Sequence, residues 1–169
     1  RKITTSVQLE QWILLAVIAV CVRTVGLSMY DRRKRGKKKK MARVQLPLPA
    51  DVASKDGTAV TLEGKRVGLY FSAHWCPPCR RFTPVLNARY EELLSGGEPF
   101  ELIYCSSDSS QAEFDEYWGT MSFPAIPYAK RAVISKLAKV CGISGIPALY
   151  IFEGDGTLVT MNGRELITR

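Results

Sequence analysis

Cys76 and Cys79, in the stretch HWCPPCR at positions 74 to 80, are the residues of this chain whose types and spacing best suit chemistry. Two cysteines separated by two residues can bind a metal, form a structural cross-link, attach a haem or exchange disulfides. A zinc site needs four ligands, and the only histidine, His74, lies beside the same pair. Covalent haem attachment needs a histidine where this chain has Arg80. The interpretation that fits is disulfide exchange, with no metal and no cofactor.

The residues around the pair favour a reactive thiolate at Cys76. An apolar run typical of a buried strand precedes the pair and helical periodicity follows it, which places Cys76 at a helix start. There the partial positive charge of the helix end and unpaired N–H groups stabilise a thiolate. Pro77 and Pro78 suit a first helical turn but have no N–H, which leaves the amide of Cys79 as the expected donor to the Cys76 sulfur. Arg80 adds positive charge nearby.

A proline at the start of a predicted core strand is the second candidate feature. Pro147 lies in the stretch GIPALYIF, and a proline is unusual at such a position. It is well placed to follow a cis peptide bond and to pack beside the cysteine pair. The backbone of Ile146 is then available to pair with an incoming client chain, as in strand addition.

The elements that must position these residues follow an α/β pattern between about Val44 and Arg169. Strands and helices alternate and a final hairpin follows, which predicts a central mixed sheet flanked by helices. Pro84 is expected to kink the first helix, and Asp56-Gly57 indicates a small hairpin. The predicted strands are 67–73, 100–105, 145–152 and 158–161, and the predicted helices are 79–94, 111–118 and 130–141.

Residues 12–30 form an apolar stretch of nineteen residues that contains one charge, Arg23. As a helix they rise roughly 28 Å, close to the hydrocarbon thickness of a bilayer. Arg23 lies off-centre and can snorkel towards the interface, so insertion is marginally favourable. We expect residues 1–30 to be a retained membrane anchor with a transmembrane helix. The alternatives are a buried helix or a cleaved signal peptide.

Residues 31–43, DRRKRGKKKKMAR, are a basic segment in which nine of thirteen residues are Lys or Arg. Such a run is solvated, resists translocation and is drawn to anionic lipid headgroups. We therefore expect these residues to be a linker and the folded domain, residues 44–169, to lie in the cytosol. An apolar stretch followed by a basic flank resembles the signal anchors of the mitochondrial outer membrane. A nuclear localisation patch is the competing interpretation. Residues 1–43 carry a net charge of +10 and the remainder −2, so no nucleic-acid-binding face is expected on the folded domain.

The stretches YFSAHWCPPCRRFTP and GIPALYIF resemble the thioredoxin superfamily. Within it they resemble the tryparedoxin and nucleoredoxin branch, which carries Trp-Cys-Pro-Pro-Cys, and the resemblance covers roughly residues 60–168. It implies a thioredoxin fold and disulfide reductase activity. By position it implies that Cys76 is the attacking thiol and Cys79 the resolving thiol, with Trp75 as a flat wall over the site. It also implies that Pro147 is the cis-proline.

Other positions qualify the resemblance. Tyr70 occupies the place where thioredoxins have a buried acid, as in the tryparedoxin branch. Ser107-Asp108 stands where tryparedoxins have Trp-Asp, and the serine favours nucleoredoxin. Ser122-Phe123 stands where the branch has Pro-Trp. The terminal helix of the family is expected to begin at about Arg169, and so to be truncated. We interpret several remaining residues as having structural roles: a solvent-facing His74, core cysteines Cys105 and Cys141, and packing residues Met121 and Phe123.

The resemblance also implies a mechanism and partners. The Cys76 thiolate attacks a client disulfide, and Cys79 then resolves the mixed disulfide. A dithiol donor such as trypanothione, or a flavoprotein reductase, restores the pair, and peroxiredoxins are the implied clients. Two other functions remain open at this point. One is a membrane-tethered redox-sensing or interaction module on a thioredoxin scaffold, and the other is a lumenal disulfide oxidase or isomerase with the opposite topology.

Overall fold

The computed structural model describes residues 46, 48, 52–58 and 60–168, all of which belong to the second of the two units into which the chain divides, Ala42–Arg169. The predicted membrane anchor and the whole basic segment lie outside the described residues. Among those described, no helix is both long enough and apolar enough to span a bilayer. The strands are β1 (Arg66–Ser72), β2 (Phe100–Ser106), β3 (Ala148–Phe152) and β4 (Leu158–Thr160). The helices are α1 (Pro77–Ser95), α2 (Gln111–Gly119), α3 (Arg131–Cys141) and α4 (Gly163–Ile167), with a 3-10 turn at Tyr128–Lys130.

The four strands form one sheet in the order β2-β1-β3-β4. Strand β1 runs parallel to β2, with Tyr70 opposite Tyr104, and antiparallel to β3, with Tyr70 opposite Leu149. Strand β4 completes the sheet antiparallel to β3. The sheet is therefore mixed, as the sequence predicted. Because β1 is central and covered on both faces, it reads in the sequence as an unbroken apolar run.

Helices cover both faces of the sheet, and each face has its own apolar core. One core contains Tyr70 and Tyr104 from the strands, packed with Leu86 of α1. The other contains Leu69 and Phe71, neighbours of Tyr70 in β1, packed with side chains of α3. This alternation follows from the two-residue period of a strand, which sends successive side chains to opposite faces. The predicted thioredoxin-type arrangement of a sheet between helices is confirmed.

The structure differs from the sequence-based prediction at three places. The predicted hairpin at Asp56-Gly57 is only a turn. The Asp56 carboxylate accepts hydrogen bonds from Ser54 and Thr58, and the backbone of Ala53 pairs with that of Ala125 instead of with a hairpin partner. Strand β3 begins at Ala148 rather than at residue 145, so the Ile146–Pro147 segment is a loop in front of it. A helical turn, α4, already lies at Gly163–Ile167, before the position at which the sequence predicted a terminal helix.

Candidate active site

Cys76 and Cys79 lie at the point where the loop after β1 enters helix α1. Cys76 is the N-cap of the helix, in an extended conformation with φ −94° and ψ 105°, and Pro77 and Pro78 occupy the first two helical positions. The two cysteines form a disulfide across a Cα–Cα distance of 5.3 Å. The amide of Cys79 donates to the Cys76 sulfur over 3.4 Å. The donor predicted from the two prolines is therefore the one observed.

The two cysteines differ slightly in their exposure to solvent. Cys79 is completely buried, whereas Cys76 retains 4% of its surface at the edge of the site. Trp75, immediately before it, is 54% exposed, and its indole Nε1 donates to the carbonyl of Ser107 over 3.0 Å. A molecule that approaches the pair from solvent therefore meets Trp75 and Cys76 before Cys79.

The loop in front of β3 closes the other side of the pair. The peptide bond between Ile146 and Pro147 is cis, as the sequence predicted. The carbonyl oxygen of Ile146 lies 3.9 Å from the Cys76 sulfur. The fold therefore brings Cys76, Ile146 and Pro147 together although seventy residues of sequence separate the cysteine from this loop.

Tyr70 belongs to a buried network of hydroxyl groups behind the pair. Its hydroxyl lies 2.9 Å from Thr83 Oγ1 and accepts a hydrogen bond from Ser72 over 3.0 Å. Thr83 donates to the carbonyl of Cys79 over 3.1 Å and lies 2.6 Å from the hydroxyl of Tyr117. Burial raises the pKa of Tyr70 well above its usual value. Hydroxyl groups, rather than a carboxylate, therefore lie behind Cys79.

Asp108 is a site residue that the sequence indicated only as the acid of the Ser107-Asp108 pair, in which Ser107 is the departure from the family pattern. It is 1% exposed, and its carboxylate accepts hydrogen bonds from the backbone N–H of His74 (2.6 Å), the Tyr104 hydroxyl (2.5 Å) and the Ser106 hydroxyl (2.6 Å). His74 lies two residues before Cys76, so Asp108 holds the loop that leads into Cys76. The sequence shows only an acidic residue two positions after the end of β2, which does not by itself reveal the contact with His74.

Arg80 and His74 flank the pair on the side of helix α2. Arg80 is exposed, one residue beyond Cys79. The His74 side chain is 29% exposed rather than fully solvent-facing, because its ring packs 5.9 Å from that of Tyr117 and its Nε2 lies 3.7 Å from a Glu116 oxygen. His74, Arg80 and Tyr117 line a cavity of about 200 Å³ beside helix α1. This cavity links the buried hydroxyl network to solvent, since Thr83 also lines it.

Cys105 and Cys141, the two other cysteines among the described residues, are not bonded to the pair. Cys105 is fully buried, and burial raises the pKa of its thiol strongly, while partial burial raises the pKa of Cys141 to about 11. Met121 and Phe123 are 2% and 0% exposed, which confirms them as packing residues. Within the described part of the chain, no cluster of three or more acidic, histidine or cysteine side chains is placed to hold a metal ion.

Comparison with known proteins agrees with this geometry. A family model described as "Thioredoxin-like" matches residues 64–158, which is more than half of the chain. The chain belongs to the thioredoxin-like family. The tryparedoxin of Trypanosoma brucei brucei is 39% identical over 125 residues, a match that covers 72% of this thioredoxin-like chain and 86% of that protein. Mouse nucleoredoxin is 44% identical over 104 residues, or 62% of this chain. The predicted branch is thereby confirmed.

Solved structures agree with the assignment. The tryparedoxin from Trypanosoma brucei superposes on this chain with a TM-score of 0.67 at 38% sequence identity. The match covers 72% of this chain and 87% of the tryparedoxin. Tryparedoxin II complexed with glutathionylspermidine has the same TM-score at 31% identity and covers 75% and 92%. By contrast, the match spans only about a quarter of the length of the nucleoredoxins, 24% for the mouse protein.

Proposed function

We propose that this chain is a thiol–disulfide oxidoreductase that reduces disulfides in client proteins through Cys76 and Cys79. The observation that carries the proposal is the asymmetric environment of the pair. Cys76 keeps an exposed fraction of 4% beside the exposed Trp75, with the Ile146 carbonyl 3.9 Å from its sulfur, whereas Cys79 has none. A purely structural disulfide needs neither an exposed tryptophan beside it nor a free backbone segment across from it.

In the proposed reaction, the Cys76 thiolate attacks one sulfur of a client disulfide. The client S–S bond breaks, a mixed disulfide forms at Cys76, and the other client sulfur leaves as a thiolate that takes up a proton. The Cys79 thiol then loses its proton and attacks the Cys76 sulfur, which releases the second client thiol and forms the Cys76–Cys79 disulfide. Two electrons pass to the client in each cycle, and an external dithiol then reduces the Cys76–Cys79 disulfide with two electrons of its own. The Cys79 amide stabilises negative charge on Cys76 through its 3.4 Å hydrogen bond.

Trp75 and the Ile146–Pro147 loop supply the client-binding surface in this proposal. The free backbone of Ile146 pairs with an extended client segment, and the exposed indole covers the segment from the opposite side. Pro77 and Pro78 shape the helix start, Tyr70 supports the buried hydroxyl network, and Arg80 contributes positive charge near the helix start.

We propose a small dithiol of the trypanothione type, or a reductase, as the electron donor, and peroxiredoxins among the clients. Support for the donor class comes from the similarity to tryparedoxins, one of which forms a complex with glutathionylspermidine. We further propose that residues 1–30 anchor the protein in a membrane, that residues 31–43 form a basic linker, and that residues 44–169 lie in the cytosol. The charge asymmetry of the sequence supports this arrangement.

Insulin reduction by the 169-residue chain, with dithiothreitol as the donor, tests the proposal. We expect catalysis by the wild type, none by Cys76→Ser, and a trapped mixed disulfide with Cys79→Ser. Wild-type inactivity, or activity that survives Cys76→Ser, contradicts reductase function and favours an interaction module. Protease protection of residues 44–169 in intact organelles contradicts the cytosolic placement and favours a lumenal oxidase or isomerase.

A further inference from the structure

Arg164, in the short helix α4, contacts the loop that faces the reactive cysteine. Its guanidinium Nη1 donates to the carbonyl of Pro147 over 3.2 Å. The same guanidinium lies over the ring of Phe82, with its carbon 5.3 Å from the ring centroid. Phe82 belongs to helix α1, three residues after Cys79, and is 6% exposed. One side chain thus joins the cis-proline loop to the helix that carries the disulfide.

The backbone places Arg164 there by an unusually close approach. Gly163 is buried against β3, and a Cβ atom at this position would lie 2.7 Å from Leu149 Cγ and 2.9 Å from the Leu149 carbonyl oxygen. Such distances are well inside van der Waals contact, so only glycine allows α4 to lie this near the strand. Since Leu149 is two residues after Pro147, this contact sets the distance over which Arg164 reaches the loop.

The contacts of Arg164 suit bracing better than charge pairing. Within residues 60–168, the ion pairs of the structure do not involve Arg164. Its partners are a carbonyl group and an aromatic face, and a planar guanidinium can donate to the first from its edge while its flat face covers the second, whereas an ammonium group is a compact point charge without a flat face. With the Pro147 carbonyl held by Arg164, the neighbouring Ile146 carbonyl remains 3.9 Å from the Cys76 sulfur.

We infer that Arg164 is a positioning residue that braces the Ile146–Pro147 loop against helix α1 and thereby sets the affinity for polypeptide clients. This inference rests on the proposed reductase function. Arg164 does not touch the disulfide, so it acts through the loop and not on the sulfur. Clients that pair with the loop backbone depend on it, whereas a small disulfide that reaches Cys76 directly does not.

The test compares two kinds of disulfide in the 169-residue chain. Arg164→Met and Arg164→Lys are expected to raise the KM for insulin about tenfold and to leave kcat within about twofold. The rate at which Cys76 reacts with 5,5′-dithiobis(2-nitrobenzoate), taken as the difference from each variant's Cys76→Ser form, is expected to stay within about twofold. Lys136→Met removes one positive charge from an exposed position on α3 and serves as the matched control, with an unchanged KM.

Two outcomes of these assays overturn the inference. A wild-type KM in Arg164→Lys means that charge alone suffices, and a parallel loss in both assays means that Arg164 supports the whole site. Amide hydrogen exchange at the start of β3, directly after the loop, separates this inference from the proposed function. Arg164→Met is expected to accelerate exchange in the Ala148–Leu149 segment, which pairs with β1, about tenfold but not in β2, whether or not insulin is reduced. Unchanged exchange overturns the inference by itself, while an inactive wild type overturns only the proposed function.

Discussion

Replacing Asp108 with alanine is expected to destabilise the fold and loosen the loop that carries Cys76. The change removes the acceptor for the backbone N–H of His74 and for the hydroxyls of Tyr104 and Ser106, in a site that is 1% exposed. A buried donor left without a partner costs about 1–3 kcal/mol. Ser106 can turn its hydroxyl elsewhere, so roughly two such losses remain, and we expect the free energy of unfolding to fall by about 3–4 kcal/mol. That is a large share of the roughly 5–15 kcal/mol of a typical domain.

Asp108→Asn provides a graded comparison. The asparagine carbonyl still accepts from His74, and its amide group can donate to the Tyr104 hydroxyl, so a loss of about 1–2 kcal/mol is expected. Asp115→Ala, at an exposed position on α2 where the carboxylate accepts from Gln111, is the matched control and is expected to stay within about 0.5 kcal/mol. Urea denaturation followed by tryptophan fluorescence measures all three. A loss below about 1 kcal/mol for Asp108→Ala, or equal losses for the alanine and asparagine variants, would refute the reasoning.

Three further changes test other parts of the structure. Gly163→Ala places a Cβ 2.9 Å from the Leu149 carbonyl, so the free energy of unfolding in urea should fall by about 1–3 kcal/mol, and an unchanged value contradicts the close approach. Tyr70→Phe removes one buried hydroxyl whose partners retain other bonds. It should cost about 1 kcal/mol and leave insulin reduction within about threefold, so abolished activity contradicts a supporting role. The Cys141 thiol, with a pKa of about 11, should be alkylated by iodoacetamide far more slowly than reduced Cys76 at pH 8, and equal rates contradict its burial. This pKa is raised above the ordinary thiol value of about 8.5. The contribution of the neutral Cys141 thiol to the free energy of unfolding is therefore fully present below about pH 8.5 and is lost as the pH rises towards 11.

The parts of the fold that were predictable are those whose signals are local. The run at 67–73 indicated a buried strand because β1 is covered on both faces, and the helical stripe after Cys79 indicated α1. Pro77 and Pro78 indicated the helix start and, through their missing N–H groups, the donor to Cys76. Pro147 indicated the cis peptide bond, because a proline is rarely found directly in front of a core strand.

The parts that were not predictable depend on contacts between distant residues. Ala53 pairs with Ala125, so the turn at Asp56-Gly57 does not lead back into a hairpin. Asp108 gains its role from the backbone of His74, thirty-four residues earlier, which no local pattern records. Helix α4 has only five residues, too few for a helical periodicity to be recognised in the sequence. The contact of Gly163 with β3 holds it in place.

The reduction potential of the Cys76–Cys79 pair, measured in the 169-residue chain by equilibration with dithiothreitol redox buffers, tests the central claim most directly. Dithiol–disulfide pairs whose dithiol form reduces client proteins have reduction potentials between about −200 and −270 mV, and structural disulfides have potentials below about −300 mV. We expect a value of about −250 mV. A value below about −300 mV contradicts catalysis, and one of about −150 mV makes the pair an oxidant instead of a reductase.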